Sequence, residues 1–320
     1  MINDDEGGEL ISDDLRKSKE DRRKEKRIEL IKLAENSPFI GFPLSEKVWT
    51  VNKSDLIAKY LYGFLSVTRN GIFIDAFSGP QNESSDSDSW TAKKVLNMDS
   101  VFLKKAYLFD LSDKQIEKLN QMVSEFKSKD LKYAPKIFIF QGDSNSNIPQ
   151  ILSQNEHEIT ERKAVLALLD QRTSECSWAL VEYLANLKTL SENSRKVEIF
   201  YFLAEGWIDR ALKSRKEGGE KHEETINWLG DDNWEEYLNL NPGERSVMFS
   251  RKFLKLGYRF CRPYGMRADD GRVMFWLIHA TDHDRAPDIM KRAYTAVCKG
   301  LTDDEWSEQV VELFPEFEYD

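Results

Sequence analysis

GIFIDAFSGP, from Gly71 to Pro80, is the stretch of sequence that decides the fold. It joins an apolar run of β-forming residues to a carboxylate, Asp75, and then to a turn of small residues that lets the backbone approach a ligand closely. In open α/β sheets, ligands bind outside the carboxyl ends of the strands. The stretch therefore predicts the start of a nucleotide-type pocket. A nucleotide-binding loop usually has a second glycine two residues after the first, where this sequence has Gln81.

Four further apolar runs of β type follow, at residues 105–109, 136–140, 164–169 and 197–203. Amphipathic helical stretches separate the runs, and another, with Ser54 as its expected N-cap, precedes the first strand. This alternation predicts right-handed βαβ crossovers and a parallel sheet that is buried on both faces. A polar turn near residue 270 then joins two final strands, 258–262 and 273–280, in an antiparallel hairpin.

Aspartate follows four of the five parallel strands, at Asp75, Asp110, Asp143 and Asp170. Carboxylates gathered at one sheet edge repel one another unless they accept hydrogen bonds, and a ligand rich in hydroxyls, amines and amides would supply the donors. The alternative is that each aspartate caps the helix after its strand. For all four together, the pocket is the favoured interpretation.

The change of pattern after residue 207 indicates how the chain is organised. We expect a charged N-terminal leader at 1–46, a Rossmann-like domain at 47–207 and 242–300, a helical insertion or lid at 208–241 and an acidic tail at 301–320. The net charge of −10 argues against a generally basic nucleic-acid binder. Three scattered cysteines, an acidic N-terminus and the lack of a long apolar stretch favour a reducing cytoplasm without membrane insertion.

Five parallel βα units followed by an antiparallel hairpin are the arrangement of Rossmann-like methyltransferases, which use S-adenosyl-L-methionine (AdoMet). That class implies a role for each strand end. Asp110 would bind the ribose hydroxyls, and Asp143 with Ser144 or Asn145 would face the adenine. The cofactor's methionine end would lie against Asp75 and the turn that holds Phe77 and Gly79. Asp170 and the residues up to Thr173 would face the methyl group and the substrate.

The sequence resembles the three-Cys-motif partner (TcmP) family, a group of bacterial and phage-borne proteins with a methyltransferase-like domain. The resemblance covers roughly residues 47–295 and rests on Trp49-Thr50, Lys53, FIDAFSGP at 73–80, Gly142 to Asn145, Asp170, Arg210, Gly230 to Trp234 and Leu277 to Met290. It implies AdoMet as cofactor, a nucleic acid or nucleotide-like substrate, and a neighbouring radical-AdoMet-like protein as partner.

Two positions depart from the family's pattern. Gln81 replaces the last glycine of GPG, and Gln171-Arg172-Thr173 follows Asp170 where the family has Pro-aromatic-Gly. Arg172 is not a neutral acceptor for an amine, although it suits a phosphate or carboxylate. Asp170 and Arg172 are the candidate catalytic residues. The departures also support a second hypothesis, a catalytically degenerate relative that binds a ligand or partner in phage defence or mobile elements.

Residues 245–272 are locally basic within an acidic protein. Nucleic-acid contact is one interpretation, with Arg262 and Arg267 joining Arg210 as candidate substrate-binding residues. A solvated helix face with a charged hairpin is the other. His279 and His283 lie near Asp282 and Asp284, but the spacing fits no metal-ligand pattern, so no metal site is predicted.

Overall fold

The computed structural model describes residues 39–43, 49–80, 89–98, 100–129, 134–154, 159, 163–188, 195–216, 222–230, 234–267 and 273–299. Within these ranges the strands are β1 (Phe39–Pro43), β2 (Gly71–Asp75), β3 (Leu103–Asp110), β4 (Lys136–Gln141), β5 (Ala164–Leu169), β6 (Glu198–Ala204), β7 (Phe260–Arg267) and β8 (Val273–Thr281). They form one sheet in the order β1-β7-β8-β6-β5-β2-β3-β4.

The sheet has the direction pattern that the sequence predicts. Strands β2 to β6 run parallel, β8 runs antiparallel to β6, and β7 runs antiparallel to β8. The chain order of the parallel strands reverses at β2, which is where an open α/β sheet forms its ligand crevice. This is the sheet of a Rossmann-like methyltransferase, and the predicted fold class is confirmed.

Helices cover both faces of the sheet in the described part of the chain. One face carries α1 (Trp49–Thr68), α2 (Thr91–Asn97), α3 (Asp113–Lys127) and α10 (Ala286–Lys299). The other carries α4 (Ser144–Gln154), α5 (Trp178–Asn186), α6 (Glu205–Lys216), α7 (His222–Leu229), α8 (Trp234–Leu238) and α9 (Pro242–Lys255). No helix within the described ranges combines the length and the apolar character that crossing a bilayer requires.

The two hydrophobic cores follow from the alternation of side chains along each strand. All five residues of β2 are buried, because helices cover both sides of this central strand. Phe73 belongs to the core under α1, whereas Ile72 and Ile74 belong to the core on the opposite face. Packing on both faces therefore holds β2 in place, and β2 supports the turn that follows Asp75.

Two features of the fold differ from the sequence-based expectations. Strand β1 lies within the stretch expected to be a charged leader, and it pairs parallel with β7 at the sheet edge. A single short apolar run carries little periodicity, and its partner is more than 200 residues away in the chain. Helix α1 begins at Trp49, so Ser54 lies inside the helix and is not its N-cap. Helices α6 to α8 occupy much of the expected insertion, and the division into domains stays a prediction.

Candidate functional site

The four strand-end aspartates lie along one edge of the sheet. Because β5, β2, β3 and β4 are neighbours in that order, the residues follow each other as Asp170, Asp75, Asp110 and Asp143. Asp110 and Asp143 line an open cavity, which we call the outer cleft. Asp75 and Asp170 are buried and line a much smaller space, which we call the inner compartment. Two of the four acids are therefore accessible from the open cleft, and the other two are buried.

The outer cleft has a volume of about 300 Å³. This is at the lower end of the range that ligand pockets of proteins occupy. Its described lining combines acids, hydroxyls, an amide, one arginine and two large apolar side chains: Phe77, Asp110, Leu111, Ser112, Gln115, Asp143, Ser144, Arg172 and Glu175. Such a mixture fits a ligand that has a flat apolar part and several hydroxyl or amino groups.

Asp110 is held in place by backbone N–H groups from two loops. The amide of Gly79 donates to Asp110 Oδ2 at 2.9 Å, and the amide of Ser112 donates to Oδ1 at 3.0 Å. A Cβ atom on Gly79 would lie 2.5 Å from Asp110 Oδ2, so only glycine fits beside the carboxylate. Each carboxylate oxygen has a second lone pair, and Asp110 can therefore still accept hydrogen bonds from a ligand in the cleft.

Leu111 follows Asp110 directly and is the exposed large hydrophobic residue of the described part of the chain, with 71% of its surface accessible. An apolar side chain held open beside a carboxylate is a suitable surface for the face of a purine. The sequence analysis did not identify Leu111. Its position directly after a strand-end acid was the available signal.

Some residues of the β4–α4 turn line the outer cleft, and others make hydrogen bonds that hold the fold together. Asp143 and Ser144 line the outer cleft, and the Ser144 hydroxyl donates to the carbonyl of Ala76. Asn145, by contrast, makes hydrogen bonds to other residues of the protein. Its Nδ2 donates to Asp143 Oδ1 at 3.0 Å and to the carbonyl of Glu175 at 2.7 Å, and its Oδ1 accepts from the Ser177 amide at 2.8 Å. Asn145 thus joins α4 to the β5–α5 loop and does not line the cleft.

Arg172 crosses from the β5–α5 loop to the loop after β2. Its Nη2 donates to the carbonyl of Pro80 at 3.1 Å, and its amide donates to Glu175 Oε2 at 2.8 Å. Gln171, by contrast, is buried, and its side chain bonds the Phe202 carbonyl and the Cys176 amide. Gln171 and Arg172 therefore belong to a loop that is held by its own hydrogen bonds, with Arg172 at the rim of the cleft.

The inner compartment is closed by an ion pair and an indole. Lys53, from α1, places Nζ 2.8 Å from Asp170 Oδ2 and 2.9 Å from Oδ1, and the lysine is almost fully buried. The same ammonium lies 4.6 Å from the ring centre of Phe202. Trp90 Nε1 donates to the carbonyl of Ser78 at 2.6 Å. The remaining space is about 10 Å³, which is room for roughly one water molecule.

The electrostatics of the inner compartment keep Asp75 protonated. Burial, followed by the neighbouring charge of Asp170, raises the pKa of Asp75 from 3.8 to about 8. The amide of Phe77, which donates to Asp75 Oδ1 at 3.2 Å, and the charge of Lys53 act in the opposite direction. The compartment thus holds the Lys53–Asp170 ion pair beside the carboxyl group of Asp75, whose raised pKa favours its neutral form.

Two of the predicted substrate-binding arginines, Arg210 and Arg262, are not among the described residues that line the outer cleft. Arg262 lies opposite His279 in the β7–β8 hairpin. Met266, four residues further along β7, lies level with the end of β6. At about 3.3 Å per residue, Arg262 lies roughly 13 Å from the carboxyl edge. Arg267 ends β7 at this edge, and Arg210 is exposed on α6. The sheet register thus separates Arg262 from the cleft, and the role of all three in binding stays a prediction.

The described residues contain no group of three or more histidine, cysteine, aspartate or glutamate side chains placed to hold a metal ion. His279, considered above as a metal ligand, instead lies 3.0 Å from Glu198 in the core.

Comparison with solved structures gives a similarity in structure only. No protein-family model and no curated protein sequence matches the chain. Among solved structures, the apo structure of CalS11, a TDP-rhamnose 3′-O-methyltransferase in calicheamicin biosynthesis, matches with 15% sequence identity and a TM-score of 0.33. The match covers 64% of this chain and 88% of that one. The strand order described above, and not this similarity, defines the class: a protein with a methyltransferase-like fold.

Proposed function

We propose that this protein binds AdoMet in the outer cleft and transfers its methyl group to a nucleic acid or a nucleotide-like substrate. The observation that carries the proposal is Asp110, an acid at the end of β3 whose carboxylate is oriented by two backbone amides at the edge of an open cavity. A carboxylate in this position suits the two hydroxyls of a ribose. A Cβ at Gly79 would collide with Asp110 and Gln115, so the glycine lets the loop pack closely against the carboxylate that it orients.

The residues of the cleft match the parts of an adenosyl group. Asp110 would hold the ribose, Leu111 would pack on one face of the adenine, and Asp143 with Ser144 would bond its edge. Phe77 and Gly79 would lie at the methionine end, and Arg172 at the rim would bind a carboxylate or phosphate. When bound, AdoMet supplies an electrophilic methyl group. Asp170 and Arg172 are the residues of this chain that would position the acceptor.

Membership in the three-Cys-motif partner family is part of the proposal. It is supported by the FIDAFSGP, Gly142 to Asn145 and Asp170 motifs, which the structure brings to one sheet edge. A cytoplasmic location and a neighbouring radical-AdoMet-like partner belong to the same proposal.

A second candidate function is binding without transfer, as in a ligand- or partner-binding module of phage defence or a mobile element. The inner compartment favours it, because Lys53 contacts both oxygens of Asp170 and Trp90 lines the small space next to them. An acceptor that needs Asp170 would have to displace the ion pair. Transfer therefore requires the compartment to open, whereas binding in the outer cleft does not.

Calorimetric titration with AdoMet tests the proposal. We expect the native protein to bind, and we expect Asp110→Ala to lose most of the affinity because the ribose hydroxyls lose their acceptor. Asp288→Ala, which removes an exposed aspartate on α10, is the matched control. Absence of heat with millimolar AdoMet would reject the cofactor.

If AdoMet binds, methyl transfer from labelled cofactor to DNA, RNA and protein pools separates the two functions. Incorporation above that of the Asp110→Ala variant supports transfer. Binding without incorporation into any pool supports the binding module.

A further inference from the structure

A second cavity lies at the opposite, amino edge of the sheet, far from the outer cleft. It has a volume of about 200 Å³ and opens between the start of β5, the start of β6 and the end of β8. Its described lining includes Phe64 and Thr68 from the end of α1, together with a set of basic and acidic residues: Lys163, Lys188, Arg195, Lys196, Glu198, Asp282 and His283.

The cations outnumber the acids in this lining by four to two, in a protein whose net charge is −10. Both acids already accept hydrogen bonds from the protein. Asp282 Oδ1 accepts from the Arg259 amide at 2.8 Å. Glu198 accepts from Tyr60, from His279 at 3.0 Å and from Thr281 at 2.6 Å. Both carboxylates therefore have partners within the protein, and the described lining still holds more cationic than anionic side chains.

Lys196 is a cation that is largely removed from water. It is 7% exposed, its Nζ donates to the carbonyl of Ala185 at 2.9 Å, and it lies 5.6 Å from the ring centre of Tyr258. These contacts are to neutral groups, and burial lowers the pKa of Lys196 in spite of the charge of Asp282. An ammonium ion in this environment gains from an anion placed within reach of its remaining N–H donors.

Arg195, the neighbouring cation, is available at the mouth of the cavity. Its side chain is 43% exposed, and its Nη2 lies 3.8 Å from Asp284, which is beyond hydrogen-bond distance. Asp284 makes a closer contact of 2.6 Å with Arg259. The guanidinium of Arg195 can therefore turn its paired donors toward a ligand in the cavity.

We propose that this amino-edge cavity is a binding site for a phosphate-type oxyanion, held by Arg195 and Lys196 with Lys163 and Lys188 adding to the field. The volume of the cavity indicates the class of ligand, because about 200 Å³ is below the usual range of pockets for larger organic ligands. It accommodates a phosphate or pyrophosphate group, either free or at the end of a nucleotide chain. The site is separate from the outer cleft and does not depend on the AdoMet proposal.

Calorimetric titration of the full chain with inorganic phosphate and with pyrophosphate tests this site. We expect binding that weakens as salt is added, with pyrophosphate tighter because it carries more charge. Arg195→Ala and Lys196→Met should each weaken binding by about tenfold, since each removes a charge-assisted hydrogen bond. Arg292→Ala, which removes an exposed arginine on α10, is the matched control and should bind like the native protein.

Lys196→Met also removes the contact with the Ala185 carbonyl, so Arg195→Ala carries the test if the lysine variant does not fold. A short oligonucleotide with a 5′-phosphate, compared with the same oligonucleotide ending in a hydroxyl, distinguishes a terminal phosphate from the free ion. No binding by the native protein at millimolar pyrophosphate would overturn the proposal. So would an unchanged affinity in Arg195→Ala. AdoMet titration of Arg195→Ala should match the native protein, which keeps the two sites distinguishable.

Discussion

Gly79 shows how a single residue without a side chain can shape the outer cleft. Its amide donates to Asp110, and a Cβ at this position would lie 2.5 Å from Asp110 Oδ2 and 2.6 Å from Gln115 Cβ. We expect Gly79→Ala to displace the carboxylate and to weaken AdoMet binding by about tenfold or more, the cost of at least one charge-assisted hydrogen bond. Calorimetric titration measures the affinity, and circular dichroism checks the fold.

Gly206→Ala is the control for this change. A Cβ on Gly206 would have its nearest neighbour, Arg210 Nη1, at 3.8 Å, and the residue lies in a helix where alanine is favoured. If both variants bind AdoMet equally well, the close approach at Gly79 has no part in the site.

Asp75 should make the stability of the protein depend on pH. Its pKa is raised from 3.8 to about 8 in the fold, so between these values the native state holds a proton that the unfolded state has lost. The contribution of Asp75 to the free energy of unfolding is therefore full below about pH 4 and is lost as the pH rises to about 8.

Asparagine imitates the neutral carboxyl group at every pH. We expect Asp75→Asn to be about as stable as the native protein near pH 4 and more stable near pH 8, by an amount on the order of a few kcal/mol. Urea unfolding at both pH values measures the difference. Asp288→Asn, at an exposed site, should show no such trend. An offset that is the same at both pH values would show that Asp75 is not protonated in the fold.

At the scale of elements, the Lys53–Asp170 ion pair joins α1 to the end of β5. Both side chains are buried, and removing one member leaves a charge without its partner. We expect Lys53→Met to lower the free energy of unfolding by about 3–5 kcal/mol. Because neither residue lines the outer cleft, the variant should still bind AdoMet under native conditions.

The double variant Lys53→Met/Asp170→Leu separates charge from packing. A well-packed apolar pair can replace a buried ion pair at little cost, so we expect the double variant to regain most of the lost stability in urea unfolding. If it is as unstable as Lys53→Met alone, the lysine stem and its contact with Phe202 account for the loss.

At the scale of the whole molecule, described residues of the expected helical insertion pack into a core that they share with the sheet. Trp228 of α7 is 1% exposed, and its ring lies 5.4 Å from that of Trp207 and 5.1 Å from that of Phe249, centre to centre. These residues come from α7, α6 and α9, and they share one hydrophobic core with Tyr201 of β6. The insertion should therefore unfold together with the sheet.

Trp228→Ala tests this coupling. We expect a loss of about 3–5 kcal/mol in the free energy of unfolding, as for other large buried aromatic residues. The transitions followed by tryptophan fluorescence and by far-ultraviolet circular dichroism should still coincide. A local transition that leaves the sheet intact would instead identify the insertion as an independent unit.

The sequence predicted much of the fold because the relevant signals are local. Apolar runs that end in aspartate define β2, β3 and β5, and the alternation with amphipathic helices defines a parallel sheet. The strand β1 escaped prediction because it depends on a distant partner, β7. Leu111 was not predicted as a site residue, because a leucine becomes informative only when the structure shows that it is exposed.

What the sequence by itself determined is the row of strand-end acids and the sheet that carries them, since strand ends follow from chain order and side-chain alternation. Only the tertiary structure decided whether each acid is exposed, buried or paired. Asp110 and Asp143 face an open cleft. Asp75 is buried and its pKa is raised, and Asp170 is paired with Lys53, which lies 117 residues away in the chain. The physical reason is that charge, access and protonation depend on which distant side chains pack against a strand end, and residue order alone does not fix those contacts.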